Sequence, residues 1–204
     1  GVAASNSVNV SDGLDGLAIV RSQDNYVAQW GDPNADDATK ARPLKNAKAK
    51  LDAEFTVPWR DDMAFTRIPD DDGYAPVVGV SDGFWVGRNP KSNEVWLTHC
   101  YGSLGVARGN EPDSGNAAQL YVVTGHAPRH LDRNIALIGR VLAGIELLSA
   151  LPRGAPPMGF YETPEERVPV RAMRVAADVP VASRSALQVL RTDGPPVVDA
   201  GNEN

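Results

Sequence analysis

Apolar positions in this chain fall in short alternating or β-branched runs between turn residues, and only rarely at helical spacing. Residues 17–20, Leu-Ala-Ile-Val, predict a strand. Residues 25–30 predict its partner, closed by the turn Gly31-Asp32-Pro33. Strict alternation sets Tyr26, Ala28 and Trp30 on one face and Val27 and Gln29 on the other. A local bend could still bring Tyr26 to a groove shared with Val27 and Gln29. Further strands are predicted over 75–78, 83–86, 94–98, 103–107, 119–123, 135–141 and 167–175, with Gly139 marking a bend in 135–141. Val8 and Val10 alternate weakly enough to allow another short strand. Helical spacing occurs at Leu44, Ala47, Leu51 and Phe55 behind Pro43, and again over 142–151, where Pro152 stops it. A last short helix is predicted over 185–191.

Sixteen prolines and nineteen glycines strengthen the reading of many turns and short strands over a helical bundle. A chain of 204 residues with 42% apolar content supports one sizeable domain with appendages. The division expected is a domain over 1–178, with an irregular tail over 179–204. A net charge of -6 and a pI near 5.0 argue against nucleic acid as a partner, because a phosphate-binding surface is basic and clustered. The longest apolar run is far short of a membrane span, so no membrane insertion is expected. Gly1 carries no secretory signal, which leaves a cytosolic or an already processed chain as the expectation. Cys100 is the single cysteine and excludes an internal disulfide.

Candidate chemistry concentrates in residues 21–33. Arg21 and Gln29 stand eight positions apart, with Tyr26 and Val27 between them. A cation, an amide and an aromatic ring suit binding of a neutral peptide group. They do not suit hydrolysis, since no nucleophile with its base stands beside them. Elsewhere the chemical motifs lack their context. Gly79-Val80-Ser81-Asp82-Gly83 fits a nucleophile elbow, but Phe84–Asn89 then Pro90 is no helix. His126 and His130 have zinc-helix spacing, but Pro128 interrupts them. Asp70-Asp71-Asp72-Gly73 is a turn without the closing glutamate of a calcium loop. His99 beside Cys100 is no dyad by adjacency alone. No metal site is expected.

Three pieces, in order, resemble the cyclophilin family of peptidyl-prolyl isomerases. Asp15-Gly16-Leu17, Arg21 and Tyr26-Val27-x-Gln29-x-Gly31-Asp32 look like the family's catalytic-arginine strand and Gln-Gly-Gly-Asp turn, with the arginine-to-glutamine spacing kept. Gly102-x-Leu104-Gly105-Val106-Ala107 and Gln119-Leu120-Tyr121 resemble its Gly-x-Leu-Ser-Met-Ala-Asn and Ser-Gln-Phe-Phe strands. His130-Leu131-Asp132, then Gly139-Arg140-Val141 and Gly144, resemble Trp-Leu-Asp-Gly, Phe-Gly-Lys-Val and the helix after them. The departures are Trp30 for the second glycine, Arg108 for an asparagine, Ile135 for a histidine and His130 for a tryptophan. Residues 34–98 stand where the family has a shorter loop and strand, and read as an insertion. Only fourteen residues precede Asp15, where the family has a hairpin and a helix. The expectation is a domain short at its N-terminus, unless residues 1–14 substitute in part.

The resemblance implies a mostly β, cyclophilin-like barrel with few helices. It implies cis–trans isomerisation of X-Pro bonds in proline-containing polypeptides, assisting protein folding, without cofactor and by a monomer. Its alternative is a degenerate module that binds such segments without turning them over. Carried over residue by residue, Arg21 donates to the proline nitrogen and Gln29 orients Arg21 and holds the substrate backbone. The substrate-binding residues are Tyr26, Val27, Ala107, Arg108, Gln119, Tyr121, His130 and Leu131. Tyr26, Tyr121 and Leu131 would serve equally as core, and Arg108 reads more readily as a solvated loop residue than as a substrate contact. Divergent members of this kind resemble secreted or periplasmic folding factors, with the cytoplasm as the alternative.

Overall fold

The computed structural model describes residues 15–35, 37, 39–43, 48, 50–126, 128–189 and 192. Its strands are β1 (Ala18–Ser22), β2 (Val27–Gly31), β3 (Val57–Pro58), β4 (Thr66–Arg67), β5 (Val77–Ser81), β6 (Phe84–Asn89), β7 (Glu94–Leu97), β8 (Ser103–Val106), β9 (Gln119–Val123), β10 (Leu137–Arg140) and β11 (Val168–Pro169). Among the described residues there is one α-helix, α1 (Ile145–Ser149), which follows β10. Among the described residues no helix is long and apolar enough to cross a membrane.

The strands form two antiparallel sheets. One has six strands in the order β10-β8-β9-β2-β1-β11, the other five in the order β3-β7-β6-β5-β4. This corrects the expected barrel. Closure requires the two edge strands of one sheet to pair. Among the described residues β10 pairs only with β8, and β11 only with β1, through two residues. The molecule is mostly β with few helices, but its sheets stay open. Every strand of the smaller sheet lies within 34–98.

The centre of the larger sheet is buried on both faces, which explains why β9 carries apolar side chains on both of its faces from Leu120 to Val123. On one face Leu120, Val106 and Ala117 pack with Trp30, Leu104, Ile138 and Met173. On the other, Val27, Tyr121 and Val123 pack with Tyr26, Ala107 and Ile135. Trp30 therefore points away from the face that carries Gln29, and its indole N–H donates to Met173 Sδ at 3.2 Å. Gly31, at φ 140°, is needed where β2 runs against the backbone of Ala118 and Gln119: a Cβ there would overlap the Ala118 carbonyl.

Other expectations meet the structure unevenly. Residues 50–55, the described end of the helix predicted behind Pro43, are irregular; Leu44 and Ala47 lie outside the described residues. Leu51 and Phe55 instead line a small cleft with Val106, Arg108 and Pro112, so their spacing reflects tertiary packing rather than a helical stripe. The predicted strand over 167–175 shrinks to β11: Val170 still bonds the backbone of Leu17 and Gly16, but by Met173 the N–H goes to the Asp15 carboxylate instead of a strand carbonyl. Residues 185–189 form no helix, while Arg191 lies outside the described residues, as do Val8 and Val10. The Gly79–Gly83 motif is a hairpin turn between β5 and β6, with Asp82 and Gly83 at φ 48° and 81° and Ser81 buried.

Candidate functional site

One rung of the larger sheet builds the site. Arg21 pairs with Gln29, Gln29 with Tyr121, and Tyr121 with Gly105, so these residues cross β1, β2, β9 and β8 side by side. A bulge between Ile19 and Arg21 shifts the alternation of β1. Ile19 and Val20 are thus both buried while Arg21 reaches the face of Gln29. Tyr26 precedes β2, after Asn25 at φ 52°, and this turn brings its ring to the same face despite the alternation.

These side chains border a cavity of about 340 Å³. Arg21, Tyr26, Val27, Gln29, Ala107, Arg108, Gln119, Tyr121 and Leu131 all line it. His130 does not. It lies at the rim, stacked on Tyr26 with ring centroids 6.0 Å apart and Nε2 3.3 Å from the Tyr26 hydroxyl. Sequence reasoning missed Met158 and Phe160, which complete the wall beside Arg21. They come from a bend over 154–161, outside every recognisable motif. No spacing signal marks it, because it is assembled by contact with β1.

Arg21 is firmly placed. Its Nε donates to the Met158 carbonyl at 2.6 Å, one Nη to Gln29 Oε1 at 3.2 Å, and the other Nη to Gln23 Oε1. The guanidinium carbon lies 5.0 Å from the Phe160 ring centroid and 5.7 Å from that of Tyr26. Every acceptor is neutral. Burial lowers the Arg21 pKa from its ordinary value, and burial raises that of Tyr26. Three of the five guanidinium N–H groups are used in this way, and the other two have no partner among the described residues.

Gln29 is 6% exposed, and both ends of its amide are committed. Oε1 takes the Arg21 bond, and Nε2 donates to Gln119 Oε1 at 2.5 Å. Gln119 Nε2 in turn donates to the Asp32 carbonyl at 2.5 Å. Gln29 is thus in place to orient Arg21 while lining the cavity itself. Arg108 is also largely spent: Nε and one Nη clasp Asn134 O and Oδ1 at 3.0 and 2.5 Å, and the other Nη donates to the Gly109 and Asn110 carbonyls. It closes the rim between two loops. The apolar socket is formed by Val27, Ala107, Tyr121, Leu131 and Ile135.

Comparison with known proteins gives a consistent picture. The family model for cyclophilin type peptidyl-prolyl cis-trans isomerase/CLD matches residues 5–175. The crystal structure of cyclophilin AquaCyp293 from Hirschia baltica superposes with a TM-score of 0.68 at 25% identity, covering 87% of this chain and 65% of that one. The chain thus spans 65% of the length of that relative. A Cryptosporidium parvum cyclophilin type peptidyl-prolyl cis-trans isomerase, solved in the presence of the dipeptide Ala-Pro, superposes with a TM-score of 0.47 at 12% identity, covering 83% of this chain and 82% of that one. No curated protein matches the chain significantly. The family match runs from before β1 to beyond β11 and takes in every wall of the cavity, so the chain belongs to the cyclophilin family of peptidyl-prolyl cis-trans isomerases.

Proposed function

We propose that the cavity binds proline-containing segments of polypeptides and accelerates rotation about the X-Pro bond, and so assists protein folding. The observation that carries this reading is Arg21: a cation fixed by neutral acceptors, with two N–H groups unpartnered among the described residues, on the wall of an apolar socket. Amide resonance sets a rotation barrier of about 18–20 kcal/mol. Twisting the bond localises the lone pair on the proline nitrogen. A donor aimed there favours the twisted state over both planar ones. No proton leaves Arg21, so a strongly basic guanidinium is suited to the task. Val27, Ala107, Tyr121 and Leu131 hold the proline ring, Tyr26 and His130 border it, and Gln29, backed by Gln119, fixes Arg21. The chemistry calls for no cofactor.

Arg108 favours a second reading, a module that binds such segments without turning them over. Most of its donors serve Asn134, Gly109 and Asn110 instead of a substrate backbone. The acidic, cysteine-poor composition is compatible with a periplasmic or secreted setting, the cytoplasm being the alternative.

Exchange spectroscopy on a short Ala-Pro peptide separates the two. The isomerase reading expects faster exchange with the wild-type chain and a loss of about 10²-fold in Arg21→Ala, the scale of removing one transition-state donor. Binding by both chains with no acceleration by either supports the binding module and defeats the isomerase.

A further inference from the structure

Tyr121 stands where the family motif has phenylalanine, and its hydroxyl is provided for. The residue is 4% exposed, and a buried hydroxyl requires a partner. That partner is His99 Nε2, at 2.8 Å. His99 has no exposed surface, and both its backbone N–H and Nδ1 face Asp132 Oδ1, at 2.8 and 3.0 Å. A carboxylate only accepts, so Nδ1 carries the hydrogen, and Nε2 of a neutral ring accepts from Tyr121. Burial raises the Tyr121 pKa, which keeps the hydroxyl a donor. Asp132 Oδ2 takes Arg129 Nε at 2.6 Å. The two Nη of Arg129 then grip Asp72 end-on at 2.7 and 2.9 Å. Asp72 is itself anchored by the Tyr74 and Ala75 N–H groups, at 2.9 and 2.8 Å.

An unbroken series of hydrogen bonds therefore joins the floor of the socket to the turn that precedes β5 of the smaller sheet. Gly105 completes the fit. Tyr121 lies flat over it, and a Cβ at this position would overlap the Tyr121 ring and hydroxyl. The ring is held at its tip by His99 and from beneath by the absence of a side chain. We propose that His99, Asp132, Arg129 and Asp72 are positioning residues for Tyr121, so that a turn within residues 34–98 holds the proline socket in shape. This rests on the isomerase reading, and deepens it.

Spatial continuity alone does not demonstrate coupling, so the test is a double-mutant cycle in the full chain. Asp72→Asn removes the anchoring charge at a turn, and Tyr121→Phe removes the hydroxyl and keeps the ring. Asp72→Asn should lower kcat/KM for the Ala-Pro peptide by about three- to tenfold in the wild-type background and leave it unchanged in Tyr121→Phe. An equal loss in both backgrounds, or none in either, overturns the proposal. Arg129→Gln repeats the cycle if Asp72→Asn fails to fold. Ring-flip rates of Tyr121, measured by NMR on tyrosine-labelled chain, should rise in Asp72→Asn; an unchanged flip rate overturns the proposal whatever the catalysis. If the wild-type chain accelerates no exchange while the flip rate still responds, the isomerase reading fails and the positioning of Tyr121 stands.

Discussion

At the scale of single residues, the site separates groups that touch the ligand from groups that hold them. Arg21 lines the cavity with two N–H groups that have no partner among the described residues, whereas Gln29 is bonded through Oε1 to Arg21 and through one Nε2 N–H to Gln119. Gln29→Ala should therefore act through Arg21, lowering kcat/KM by about tenfold, the cost of one charge-assisted hydrogen bond, with KM nearly constant. A rise in KM alone would instead mean that Gln29 contacts the peptide. Gly105 makes a sharper case. Gly105→Ala forces a methyl group into the Tyr121 ring and should destabilise the fold by about 1–3 kcal/mol in a denaturant melt. The cost should fall below about 1 kcal/mol in a Tyr121→Ala background, where the space is vacated. A penalty that survives Tyr121→Ala would place the strain in the backbone of β8.

At the scale of elements, the active face depends on the bend over 154–161 as much as on any strand. Ser22 N–H donates to the Gly159 carbonyl, Gly154 N–H to Ser22, and Tyr161 N–H to Val20, so the bend is bonded along β1. Gly159, at φ 73°, passes so close to Gln23 that a side chain cannot fit. Gly159→Val should lift the bend, free Arg21 from the Met158 carbonyl and reduce catalysis by about tenfold, with faster amide exchange at Ser22 and Tyr161. Retained protection at those amides would show that the bend tolerates the change. This bend also marks where sequence reading stops. The strand over 119–123 was legible from its residues because β-branched and aromatic side chains bury both of its faces. The Arg21–Gln29 pair was legible because one hairpin carries it. Met158 and Phe160 were not, since only contact with a strand far away in sequence brings them to the cavity. His99 was weighed against its neighbour Cys100, while its partners lie at positions 121 and 132. The open sheets were hidden for a related reason: alternation sets which face of a strand is buried, not whether β10 and β11 find each other.

At the scale of the whole molecule, the question is what ties the smaller sheet to the larger one. The Asp72–Arg129–Asp132–His99 series does so through three ionised groups, Asp72, Arg129 and Asp132, that are largely withdrawn from water, with His99 hydrogen-bonded at their end. Burial by itself would raise the Asp132 carboxyl, but hydrogen bonds from His99 and Arg129 outweigh it and hold the pKa below its ordinary value of 3.8. Asp72 follows the same pattern, with Arg129 opposing burial. A carboxylate whose pKa is depressed by folding contributes stability that is complete above the unfolded value. That stability is lost as pH falls through the folded one. The tie between the sheets should therefore hold at neutrality and weaken only in acid below about pH 4. Asp132→Ala leaves the His99 and Arg129 donors without their acceptor at a buried site. It should cost about 3–5 kcal/mol at pH 7, the penalty of removing one partner from a buried ion pair. Denaturant melts of wild type and Asp132→Ala at pH 7 and pH 2.5 check this, and the two curves should converge in acid. A difference that persists at low pH would assign the stabilisation to packing around Asp132 and leave its charge without a role in joining the sheets.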